Sequence, residues 1–101
     1  MLKVQSRQMS VVGISEPIHL NTIENGKVSL VVNVIAEDGL PGQGLFTVQH
    51  SLDGEHWLEH DYFKNFTSTD DSNYSHPVAQ IRLVTSQVPT NGYIKLTTAF
   101  I

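Results

Sequence analysis

The chain contains no cysteine. Disulfide scaffolds, thiolate zinc sites and thiol catalysis are thereby excluded. Charge is also scarce: Asp, Glu, Lys and Arg make up 16% of the 101 residues, against about 25% in ordinary soluble domains. Only six residues are basic, Lys3, Arg7, Lys27, Lys64, Arg82 and Lys95, and the formal net charge is −4. Scattered cations on an acidic chain do not make the clustered patch that binds nucleic acid by counterion release, or an anionic membrane. No apolar run approaches the roughly 18 residues of a membrane span. The first residues, MLKVQSRQMSVVGISEP, hold no apolar h-region, so no signal peptide is expected. No stretch repeats its apolar residues with the 3.6 period of a helix.

Alternation takes the place of helical periodicity. Val28, Leu30, Val32 and Val34 share one face of a segment from Lys27 to Ala36. Ala79, Ile81 and Leu83 do the same further on, and so do Ile94, Leu96, Thr98 and Phe100 near the end. This period of two is that of half-buried strands. Leu45 to Ser51 and Glu55 to Phe63 are further strand candidates, with weaker ones at Met9 to Ile14 and Pro17 to Leu20. Turn signals separate them: Asn25-Gly26, the glycine-rich Glu37 to Gly44, and Pro89-Thr90-Asn91-Gly92. Lys64 to Pro77 reads as a long polar loop. Seven or eight short strands at this spacing predict an all-β fold, an antiparallel β-sandwich or jelly roll. One domain over residues 1–101 is expected. Residues 1–10 are either a first strand or an extended arm reaching a neighbour.

The octapeptide HSLDGEHW, His50 to Trp57, combines turn chemistry with the chain's one tryptophan. Leu52-Asp53-Gly54 fits a three-residue hairpin loop, with Gly54 in the left-handed region and Asp53 accepting nearby N–H groups. Ser51, Asp53 and Gly54 are then structural turn residues. That register opposes His50 with His56, Gln49 with Trp57 and Val48 with Leu58. It places Phe46, Val48 and Leu58 on the core face and Trp57 on the other, beside Thr47 and Glu59. A slip of one residue reverses every assignment. Trp57 is therefore either a packing residue or, with Phe66 and Tyr74, an aromatic ligand contact.

Catalytic signals are absent. There is no G-x-S-x-G and no glycine loop that opens a helix to cradle phosphate. Glu55, Glu59 and Asp61 read as solvated strand carboxylates, and Asp70-Asp71-Ser72-Asn73 lacks the spacing of a calcium loop. The same register puts His50, His56 and His60 on one face. A cross-strand histidine pair can bind zinc or copper, but two ligands rarely suffice and no acidic residue is placed to complete a set. His19 and His76 add no spacing pattern. No catalytic residue, metal site or cofactor is expected.

The residues Val48, Ser51, Asp53, Gly54 and Trp57 form a V-x-x-S-x-D-G-x-x-W pattern that resembles the hairpin of discoidin-type jelly-roll domains, where it is structural. It covers about a tenth of the chain, and the cysteine pair usual in those domains is missing. The whole chain resembles the small all-β virion proteins of tailed bacteriophages, which carry similar hairpins and finish on strands such as Tyr93 to Ile101. That resemblance implies a non-enzymatic virion component, assembled in the host cytoplasm. A capsid decoration or cement protein is expected first, a tail or head–tail connector component second. Its expected partners are itself, as a homo-oligomer, and other virion proteins such as the major capsid protein. Val31, Ile35, Val84, Tyr93 and Ile101 make the nominal outer faces unusually apolar, and they are the expected interface. The alternative expectation is a carbohydrate-binding module using Trp57, Phe66 and Tyr74.

Overall fold

Nine strands and no helix make up the fold in a computed structural model that describes residues 2–20, 27–36 and 44–100. The strands are β1 (Lys3–Met9), β2 (Gly13–Ile14), β3 (Ile18–His19), β4 (Val28–Ile35), β5 (Leu45–Ser51), β6 (Leu58–Glu59), β7 (Asp70–Tyr74), β8 (Gln80–Gln87) and β9 (Tyr93–Phe100). One sheet has the order β1-β9-β4-β7. The other runs β2-β8-β5-β6, with β3 also pairing β8. All pairings are antiparallel. The chain changes sheet at almost every connection, and β1 ends beside β9. This is the double Greek key of a jelly roll.

β2 and β3 are one strand interrupted. Pro17 has no N–H to offer a ladder. Ser15 repairs the gap: its N–H donates to the Leu83 carbonyl and its hydroxyl accepts the Leu83 N–H, both at 2.9 Å.

The period-two faces close on a single core. Val28, Leu30 and Val32 are buried from β4, Phe46 and Val48 from β5, Ile81 and Leu83 from β8, and Ile94, Leu96 and Phe100 from β9. Phe63, which lies outside any strand, is equally buried. Its ring packs 5.6 Å from Phe46 and 5.4 Å from Phe66.

Of the two readings of the N-terminal residues, the structure has the first strand: Lys3–Met9 pairs with β9 along its length. Two expectations are corrected. Lys64 to Pro77 is not one loop: Asp70–Tyr74 is an edge strand paired with β4. Its side chains are polar on both faces apart from Tyr74, so no alternation marks it. Glu55 to Phe63 is a strand only at Leu58–Glu59. Beyond it the chain stays beside β5 through isolated bonds, Val48 N–H to the Phe63 carbonyl at 2.8 Å and Phe46 N–H to the Phe66 carbonyl at 2.9 Å. The Asn25-Gly26 turn and most of the Glu37 to Gly44 loop lie outside the described residues.

Candidate functional site

Three features of the surface invite a functional reading. The first is the turn that follows β5. Ser51 accepts the Gly54 N–H on its hydroxyl at 2.9 Å and donates to Asp53 Oδ1 at 3.1 Å. The same Oδ1 takes the N–H groups of Glu55 at 2.9 Å and His56 at 2.8 Å. Asp53 Oδ2 lies 2.6 Å from His56 Nδ1. These donors, the His56 N–H foremost, hold the Asp53 carboxyl well below the usual carboxylate range. Gly54 has φ +80°, as expected.

The turn is wider than a three-residue loop. Gln49 opposes Glu59 and His50 opposes Leu58, so the predicted register is displaced by two residues. Asp53 causes this by drawing in two further N–H groups before the return strand starts. A shift of two preserves the faces. Trp57 lies on the outer face, with the Arg82 guanidinium 3.9 Å from its ring centre. Arg82 Nε donates to Gln49 Oε1 at 2.8 Å. Leu58 does not join the core: it sits past the sandwich edge and is 66% exposed. Asp53, Glu55 and His56 also bring three potential ligand atoms within 4.8 Å of one another. All three are exposed, and the carboxylate of Asp53 is already engaged.

The second feature is a cleft of about 260 Å³ on the side of the sandwich, between the chain after β6 and the edge strand β7. Tyr74 forms its floor. The His50 and His60 rings each stand 4.7 Å from the Tyr74 ring, edge to face, and His76 stands 5.5 Å from it. His50 Nδ1 lies 2.9 Å from the Tyr74 hydroxyl. Burial lowers the His50 pKa, with His76 and His60 adding to the effect and Asp61 opposing it. Burial also pushes the Tyr74 phenol up, assisted by Asp61. His60 is structural. Its Nε2 donates to the Asn73 carbonyl at 2.9 Å, and its Nδ1 accepts the N–H groups of Tyr62 and Phe63. Nearby, the Tyr62 hydroxyl donates to Asp70, which lowers the Asp70 pKa and raises that of Tyr62.

The expected aromatic platform is not assembled. Tyr74 is only 3% exposed, between the sheets. Phe66 is half-buried against Phe46, Phe63 and Tyr62. Trp57 lies on the outer face of the other sheet, apart from both. His76, which had no spacing pattern in the sequence, proves to be the neighbour of His50, 5.5 Å ring to ring. No signal in one sequence connects residues on β5 and after β7.

The third feature is the outer face of the four-stranded sheet. Val31 and Ile35 are 40% and 39% exposed there. Val31 is level with Thr97, and Ile35 with Tyr93. Val4 and Ser29 flank Ala99 on either side. Lys95 and Asp71 are charges on this face, and exposed Lys27 stands just before β4 with the parity of Ser29 and Val31. Val84 lies instead on the outer face of the five-stranded sheet, paired with Ile14. The expected interface residues therefore divide between two faces, and Ile101 is outside the described residues. No protein-family model matches the chain, and no curated protein matches it in sequence.

Proposed function

We propose that the protein is a non-enzymatic structural component of a tailed-phage virion, a capsid decoration or cement protein that assembles as a homo-oligomer. The observation that carries this reading is the sparsely charged outer face of the four-stranded sheet. Val4, Val31, Ile35, Tyr93 and Ala99 are distributed over it among small hydroxyl and amide residues, with Lys95 and Asp71 as the charges on its paired strands. Such a face loses little on desolvation and accepts a flat partner. The jelly-roll topology and the resemblance to small all-β virion proteins supply the setting.

The test is a surface substitution, Val31→Asp, read by light scattering and by binding to purified capsids. Wild type is expected to be multimeric or capsid-bound, and the variant a folded monomer that no longer binds. A wild-type monomer without affinity for capsid or tail would overturn the reading. An electron-microscopy map of the particle separates a capsid location from a tail one.

The cleft at Tyr74 favours a second reading, a glycan-binding module. It presents Glu59, Asp61, Ser72 and His76 as hydrogen-bonding groups around aromatic walls. Silence on a glycan array would remove it.

A further inference from the structure

Hydrogen-bond donors and acceptors around the cleft at Tyr74 are unevenly spent. His60 gives its Nε2–H to the Asn73 carbonyl and fills its Nδ1 with the N–H groups of Tyr62 and Phe63. The Tyr62 hydroxyl donates to Asp70. The Tyr74 hydroxyl and His50 Nδ1 engage each other at 2.9 Å. His76 Nδ1 lies 3.2 Å from the Pro77 carbonyl, which can only accept. Its proton is therefore on Nδ1, and neutral His76 presents a bare Nε2 lone pair. The acceptors are left over. Among the described residues no hydrogen bond or ion pair engages the Asp61 carboxylate or His76 Nε2. Glu59 has only Lys64 Nζ, at 3.8 Å.

Charge points the same way. Glu59 and Asp61 line the cleft, and among the described residues no lysine or arginine does. Asp61 is within electrostatic reach of the floor: it adds to the burial that raises the Tyr74 phenol and opposes the burial that lowers His50. A ligand that suits such a wall brings donors and positive charge, and an ammonium has three donors and no acceptor. The Tyr62 ring, 45% exposed, offers a π-face to a cation or to the C–H groups of a sugar. Ser72 and Ser75 add hydroxyls that can donate or accept. The volume of about 260 Å³ lies below the roughly 300–1,000 Å³ of sites for drug-sized ligands, which suits a single ring.

We propose that this cleft binds an amino sugar as its ammonium form, with the ammonium on Asp61 and His76 Nε2 and the ring hydroxyls on Ser72 and Ser75. The proposal rests on the glycan-binding reading of the cleft and narrows its ligand to cationic sugar units. A neutral sugar lacks the charge that Asp61 would pair, and an acidic one is repelled by Glu59 and Asp61.

The test titrates the whole chain with glucosamine, glucose and glucuronate near neutral pH, followed by amide NMR. Glucosamine is expected to saturate, with the Asp61, Ser72 and Tyr74 resonances moving. Glucose should bind about tenfold more weakly, for want of the charge-assisted bond, and glucuronate not at all. Asp61→Asn should bring glucosamine down to the level of glucose. Glu55→Gln should leave it unchanged, since Glu55 is outside the cleft. Circular dichroism checks that both variants remain folded. Glucose binding as tightly as glucosamine would overturn the proposal and leave the glycan reading standing. Silence with all three sugars, together with a silent glycan array, would remove both. Affinity retained in Asp61→Asn, or lost in Glu55→Gln, would overturn the assignment of the ammonium to this cleft.

Discussion

Gly54 and Asp53 show how single residues set the path of the chain after β5. Gly54 sits at φ +80°, and a Cβ there would come 2.7 Å from Gln80 Nε2. Gly54→Ala is expected to destabilise by about 1–2 kcal/mol, mainly through the left-handed backbone, since the Gln80 amide can move. Chemical denaturation measures this directly. Asp53 carries a pH signature. Its folded pKa lies below its unfolded value, so its contribution is present above about pH 4 and drains as pH falls through the folded value. Asp53→Asn keeps an acceptor but removes the charge. The stability gap between wild type and Asp53→Asn should be constant near neutrality and shrink below about pH 4. A gap that stays flat into strong acid would contradict the assignment.

At the scale of elements, the Trp57 stack ties the β5–β6 connection to β8. Arg82 is fixed at one end by Gln49 and covers the indole with its guanidinium. A double-mutant cycle on Trp57→Ala and Arg82→Ala should give a coupling of about 0.5–1 kcal/mol. Additive effects would mean that the stack holds nothing. The segment after β6 is secured differently, by Phe63. Phe63→Ala should cost about 3–5 kcal/mol, because a ring at 0% exposure leaves a cavity between Phe46 and Phe66. The expected result is a lower denaturation midpoint with an unchanged slope.

For the whole molecule, topology dominates. β1 pairs with β9 and β4 with both β7 and β9, so the four-stranded sheet cannot close until distant segments meet. Long-range pairing of this kind slows folding, and refolding in milliseconds to seconds is expected. Stopped-flow fluorescence of Trp57 follows it with a single reporter. A microsecond phase that recovers the full signal would contradict a transition state built on these pairings.

The alternating strands β4, β8 and β9 were legible because burial on one face leaves a period of two in the residues themselves. Gly54 in the left-handed region was legible for a steric reason, whereas the face of Trp57 stayed open in the sequence because a one-residue slip of register reverses it. The edge strand β7 was not, because an edge strand between water and one neighbour needs no apolar face. The two-residue displacement after Ser51 was hidden too, since it depends on how many N–H groups one carboxylate gathers. Of the histidines that line a groove beside the Ser51–Trp57 turn, His50 and His56 were placed together by the sequence, and His76 was not. The sequence alone determined which faces are apolar, which is a local property of the chain. Only the tertiary structure decided which distant polar residues share a cleft, because strand pairing across the sandwich brings β5 and the end of β7 together.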